Sequence, residues 1–276
     1  MGYVFVDQQL IDDSSAVISV YDHGLVTGDG VFEALAVYGG VPFAITRHLE
    51  RLARSVAGMR LPPPDLPLIE AAIFEVVEAN KIDFGKVRVT YTAGDGPLGS
   101  DRSNSPARVI VAAVPLGPIP PTARVAISLW PRNERGILAG LKTTSYAENV
   151  VGLNWAFSLG ATEIVFPNIA GMLCEGSGSN IFVVIDNVLM TPPLSSGCLA
   201  GVTRDLIVEY LGGVEADVPM ERVTSSDLSE AFLTSSLREA QPITHFDDFS
   251  IPSAPGPVTL DIVDKFRELI KDNLNP

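Results

Sequence analysis

Residues 141–182, LKTTSYAENVVGLNWAFSLGATEIVFPNIAGMLCEGSGSNIF, constrain this chain more than any other stretch. They open on a lysine among hydroxyls, cross an apolar, helix-like segment, and close on a carboxylate followed by small residues. The chain has five lysines, and Lys81, Lys86, Lys265 and Lys271 each have a charged residue within two positions; Lys142 has none. A lysine at the end of a short strand, beside Thr143, Thr144 and Ser145, can be desolvated enough to lower its amine pKa and become a nucleophile toward an aldehyde. Glu175 lies between the apolar run GMLC and GSGSN, where a strand breaks into a tight turn. A buried carboxylate there needs a polar partner.

The rest of the chain supplies short strands and a few helices. Residues 3–7 and 16–20 read as strands around a turn at Asp12–Asp13. Gly28 and Gly30 flank Asp29 ahead of a strand, VFEALAVY, and Gly39–Gly40 reads as its hairpin. Residues 44–60 have apolar positions at helical spacing, so a helix is expected from near Thr46, with Arg47, Arg51, Arg54 and Arg60 on a basic face. A second helix is expected at 67–80, then strands KVRVTYTAG and 107–114. The proline-rich segment around 116–124 reads as a linker, which divides the chain into domains 1–115 and 125–276. After it come a strand at 124–130, a helix at 146–159, strands EIVFPN, MLCE and IFVVID, a hairpin at Asp186–Asn187, and a helix at 259–273. The expected fold is α+β, with a smaller N-terminal α/β domain and a larger C-terminal domain built on a mixed, largely antiparallel, barrel-like sheet.

Composition narrows the partners. A formal charge of −14 with few, unclustered Lys and Arg argues against nucleic acid or an anionic membrane. No long apolar span or signal peptide is visible, and Cys174 and Cys198 make no disulfide framework, so a cytoplasmic protein is expected. Cys174 reads as a small core residue, and His23, His48 and His245 lack metal-ligand spacing. GSGSN lacks the third glycine of a dinucleotide fingerprint.

Lys142 followed thirty-three residues later by Glu175 in EGSGSNIF resembles the class IV aminotransferases. These are the fold-type IV pyridoxal 5'-phosphate (PLP) enzymes: branched-chain and D-amino-acid aminotransferases and aminodeoxychorismate lyases. G-D-G-V-F-E, H-L-x-R-L and L-x-G-V-T-R resemble further family segments, so the similarity spans nearly the whole chain. The resemblance implies that Lys142 holds PLP as a Schiff base and then acts as general base, and that Glu175 keeps the pyridine nitrogen protonated. It further implies that Arg51, Val202, Thr203, Ser236 and the adjacent Ser235 anchor the phosphate, while Tyr146 either reaches the phenolic oxygen or packs in the core. Phe32 is implied at the substrate, with core packing as its other reading. Arg88 and Arg102 are candidate carboxylate anchors; some members instead carry an arginine where this chain has Ala93. Arg238 is a candidate for a substrate carboxylate or for an ion pair with Glu239. A small-molecule amino substrate and a homodimer are also implied.

For the reaction, K-T-x-S-Y-x-x-N (Lys142 to Asn149) most resembles aminodeoxychorismate lyases of the folate route. Transamination of D-amino acids or branched-chain L-amino acids ranks second, from VFEALAVY and Arg88. A non-catalytic PLP-binding module is the remote alternative.

Overall fold

The computed structural model describes residues 2–276, which form two compact units. The first comprises the residues up to Pro118, Leu141–Tyr146 and Asn273–Pro276; the second comprises Ile119–Gly140 and Ala147–Asp272. Lys142 therefore belongs to the first unit, although the sequence places its neighbours in the second half of the chain.

The first unit has strands β1 (Tyr3–Val6), β2 (Gln9–Asp12), β3 (Gly30–Tyr38), β4 (Val41–Pro42), β5 (Phe84–Thr92) and β6 (Arg108–Pro115). They make one sheet in the order β2-β1-β6-β5-β3-β4. Its helices are α1 (His23–Val26), α2 (Ile45–Gly58) and α3 (Leu66–Ala79). Ile45, Leu49, Leu52 and Val56 recur at helical spacing on α2 and pack with Ile69, Ile73 and Val76 of α3 and with Val31, Leu35 and Val87 of the sheet. The α2 start has no side-chain cap. Residues 273–276 supply acceptors there instead: Ala44 N–H donates to Leu274 O at 2.7 Å and Thr46 N–H to Asn275 Oδ1 at 3.1 Å.

Residues 16–20 are not a strand, contrary to the sequence expectation. The hairpin closes earlier, through Asp7 at φ +49°, so that Gln9–Asp12 pairs with β1. Asp12 then accepts from Ser14 N–H at 2.9 Å and turns the chain away, leaving Val17 and Val20 exposed.

The second unit contains β7 (Ala123–Ile127), α4 (Ala147–Ser158), β8 (Glu163–Pro167), β9 (Leu173–Gly176), β10 (Asn180–Ile185), β11 (Val188–Thr191), α5 (Val202–Leu211), β12 (Val214–Glu215), β13 (Leu228–Ser235), β14 (Glu239–Phe246), β15 (Phe249–Ser250) and α6 (Pro257–Asp272). The strands form a mixed half-barrel in the order β12-β11-β10-β13-β14-β7-β8-β9. Strand β10 is buried along its whole length, which is why its sequence, NIFVVI, is a continuous run and not an alternation. Phe182 stacks on its cross-strand partner Phe232 with ring centroids 5.0 Å apart. The hairpin at Asp186–Asn187 has both residues at positive φ, as a two-residue turn requires. Among the described residues no helix is long and apolar enough to cross a membrane.

Cys174 and Cys198 are buried in the second unit. Burial, with the nearby charge of Glu175, pushes the Cys174 thiol well above its ordinary value, and burial pushes Cys198 up to about 11. Neither supplies thiolate near neutral pH. Iodoacetamide is therefore expected to spare both cysteines in the native protein and to label both in denaturant. Native labelling at a free-thiol rate, read by intact mass, would contradict this packing.

Candidate active site

In the first unit the segment carrying Lys142 lies against the start of β3. Phe32 N–H donates to Lys142 O at 3.0 Å, Thr144 N–H donates to Gly30 O at 2.9 Å, and Val31 bridges Thr143. This contact explains the two glycines around Asp29. A Cβ on Gly30 would stand 2.8 Å from Tyr91 O and 3.1 Å from Thr144 Oγ1. Gly28, at φ +70°, would bring one within 2.7 Å of Ser145 Oγ. Lys142 N–H also donates to Ser55 Oγ of α2 at 3.2 Å.

Alternation along β3 sends Phe32 and Glu33 to opposite faces of the sheet. On the Phe32 face, Arg88 of β5 sits diagonally across, since Phe32 opposes Thr90 and Ala34 opposes Arg88. Its guanidinium carbon lies 3.8 Å from the Phe32 ring centroid, and Lys142 Nζ lies 4.5 Å from the same centroid. Tyr146 meets that ring edge-on at 5.2 Å. Phe32, Arg88, Lys142 and Tyr146 are thus brought together.

On the other face, Glu33 meets α2. Arg51 Nε and Nη2 donate to its two carboxylate oxygens at 2.8 and 2.7 Å, and His48 Nδ1 lies 2.7 Å from Glu33 Oε2. All three side chains are buried. Of the four arginines expected on a basic face, Arg51 is the one turned inward, and a buried guanidinium requires such a carboxylate. Burial alone would raise Glu33, but the charge and hydrogen bonds of Arg51, with His48, hold it far below the carboxylate range. Burial pushes His48 below the ordinary histidine value, against the opposing pull of Glu33. Sequence reasoning missed Glu33 and His48. Their signal was an acid inside an otherwise apolar strand and a histidine three residues before the inward arginine.

In the second unit, Glu175 is held from two sides. Leu199 N–H donates to its Oε2 at 2.9 Å, and Arg132 Nε lies 3.5 Å from Oε1. Arg132 in turn lies over the Phe166 ring at 4.1 Å and donates to Asn149 Oδ1 at 3.1 Å. Arg132 is a third residue missed from sequence, because it sits in a loop far from Glu175 along the chain. Val202 and Thr203 open α5, where both are buried and no side chain caps the helix. A Cβ on the preceding Gly201 would overlap Asn180 Oδ1, so any larger residue would displace that side chain. An uncapped helix start presents N–H groups suited to an anion. Ser235 Oγ accepts from Arg238 N–H at 3.1 Å in the turn between β13 and β14, which also contains Ser236.

Two further sequence candidates make ion pairs within their own units. Arg102 forks onto Asp29 at 2.5 and 2.6 Å and donates to the carbonyls of Arg60 and Met59, closing its own loop. Arg238 Nη2 lies 3.3 Å from Glu163, and its other arm donates to Gln241. Glu239 pairs with Arg267.

The profile of the class IV amino-transferases matches residues 30–246. A relative from Methanocaldococcus jannaschii, provisionally named a branched-chain-amino-acid aminotransferase, is 29% identical over 96% of this chain and 96% of its own length. The D-alanine aminotransferase of Listeria innocua is 28% identical over 97% of this chain and 96% of its own. Among solved structures, the branched-chain aminotransferase of Thermoproteus uzoniensis, determined with norvaline, superposes with a TM-score of 0.91 at 29% identity, covering 98% of this chain and 94% of that one. The chain belongs to the class IV aminotransferases, and it is an enzyme of the PLP-dependent kind. The donor set fits that cofactor: an amine beside an aromatic ring in the first unit, and in the second a carboxylate braced by a guanidinium and an uncapped helix start behind a glycine.

Glu33 and His48 both bind protons less readily in the folded protein than in the unfolded chain. The stability they contribute is complete near neutrality and is lost as the pH falls, first through the histidine range and then through the carboxylate range. Thermal midpoints are expected to drop below about pH 6.5, and His48→Gln should flatten that first part of the profile. An identical acid profile in the variant would contradict a neutral, buried His48.

Proposed function

We propose that this enzyme transaminates branched-chain L-amino acids, with Lys142 as catalytic base and Arg88 as carboxylate anchor. The observation that supports it is the shared Phe32 ring, with the Arg88 guanidinium 3.8 Å and the Lys142 amine 4.5 Å from its centroid. An amino acid carries its carboxylate one bond from the carbon that loses a proton. An anchor and a base steered by one aromatic side chain suit that spacing. Arg88 resembles the strand arginine of the branched-chain group, and Ala93 departs from members that place theirs before the glycine.

When bound, PLP would supply an aldehyde and an electron-withdrawing ring. Lys142 Nζ takes the proton from the substrate's α-carbon. Glu175, braced by Arg132 and Leu199 N–H, would accept from the protonated ring nitrogen. Val202, Thr203, Ser235 and Ser236 would hold the phosphate, and Arg51, fixed by Glu33, is the arginine that the family resemblance assigns to it. Tyr146 serves the phenolic oxygen.

The lyase that ranks first from sequence gains no support from the relatives named above, which are aminotransferases and back the second-ranked reading. With PLP, the wild type should show a visible absorbance band that Lys142→Ala lacks, and L-leucine without a keto acid should bleach it. Bleaching by D-alanine alone would transfer the assignment to D-amino acids. A band that no amino acid bleaches would overturn transamination.

We also propose a homodimer. Val17, Val20 and Leu25 of the first unit and Val150, Val151 and Phe157 of α4 are large apolar side chains left exposed, which a partner surface would cover. Sedimentation is expected to give twice the chain's mass. A monomer at micromolar concentration would exclude the dimer.

A further inference from the structure

Glu163, at the start of β8, is 1% exposed and has no part in the cofactor roles assigned above. Its Oε1 accepts from Ile164 N–H at 3.0 Å, from Ser177 N–H at 3.1 Å and from the Ser177 hydroxyl. Its Oε2 accepts from the Ser179 hydroxyl at 3.1 Å and lies 3.3 Å from Arg238 Nη2. A buried carboxylate is costly unless donors surround it, and an apolar side chain would serve a plain strand at less cost. Apart from Ile164 N–H in β8 itself, these donors come from two separate turns. Ser177 and Ser179 belong to the turn that follows Glu175, which is tight enough that Gly176 N–H donates to Ser179 O at 2.7 Å and a Cβ on Gly176 would meet Ser179 Oγ at 2.3 Å. Arg238 belongs to the β13–β14 turn, where its own N–H is tied to Ser235 Oγ and its second guanidinium arm to Gln241.

We infer that Glu163 is a positioning residue that ties the turn following Glu175 to the turn carrying Ser235 and Ser236, with Arg238 as the connecting arm. This rests on the assignment of Glu175 to the cofactor ring and of Ser235 and Ser236 to its phosphate. Through Ser177 and Ser179 the carboxylate sets where the backbone leaves Glu175. Through Arg238 it sets where the other turn stands. The distance between the group that meets the ring and the groups that meet the phosphate is thereby fixed before the cofactor arrives. Arg238 accordingly serves this link and not the substrate carboxylate.

The test compares PLP dissociation constants of the wild type, Glu163→Gln, Arg238→Ala, Arg238→Lys and the Glu163→Gln/Arg238→Ala double variant. Cofactor release is followed by absorbance, with the melting temperature at saturating PLP as folding control. Arg238→Ala should weaken PLP binding roughly 10-fold, the scale of one lost charge-assisted hydrogen bond, while its melting temperature, lowered by the charge left on Glu163, stays above the assay temperature. Arg238→Lys should recover part of the loss, and the double variant should bind no more weakly than Glu163→Gln. Wild-type affinity in Arg238→Ala, or additive losses in the double variant, would overturn the link while leaving the Lys142 band, and with it the proposed function, intact. Should Glu163→Gln fail to fold, the two Arg238 variants decide alone. Absence of any Lys142-dependent band in the wild type would overturn both readings.

Discussion

The contact on which the first unit depends is the backbone pairing between residues 142–144 and Gly30–Phe32. It delivers a lysine from the middle of the chain to the mouth of β3, and it forces small residues at 28 and 30 because the incoming segment lies directly over them. Once Phe32 N–H is bound to Lys142 O, the Phe32 ring beneath the lysine amine and the Arg88 guanidinium beside it follow from sheet register. The glycines, the aromatic ring and the lysine are consequences of a single close approach.

Carboxylate and guanidinium recur as pairs: Glu33 with Arg51, Glu175 with Arg132, and Glu163 with Arg238. Each acid sits on or at the end of a strand, and each arginine arrives from a helix, loop or turn elsewhere in the sequence. Such pairs add little net stability, because desolvation offsets attraction. What they contribute is definition, since removing either member leaves a charge with nowhere to go.

Much of the architecture was legible in the chain itself. Amphipathic spacing located α2, α3 and α6 to within two residues, and the Gly39–Gly40 and Asp186–Asn187 hairpins followed from turn chemistry. Lys142 and Glu175 stood out for local reasons, an uncharged neighbourhood and a strand breaking into glycine and serine. Glu163, Arg132, Glu33 and His48 did not, because their significance lies in partners distant in sequence. Residues 16–20 misled for the opposite reason: their composition suits a strand, but the tighter turn at Asp7 had already used the edge they would have joined.

The first unit is assembled from three separate pieces of chain, and the last of them, 273–276, supplies the acceptors that finish the start of α2. During vectorial synthesis, the sheet and both long helices of that unit are made early, yet the helix bearing His48 and Arg51 stays unfinished at its first turn until residue 275 is available. Residues up to 118 thus lack these acceptors until the second unit has been translated. A protein built this way completes its first half last.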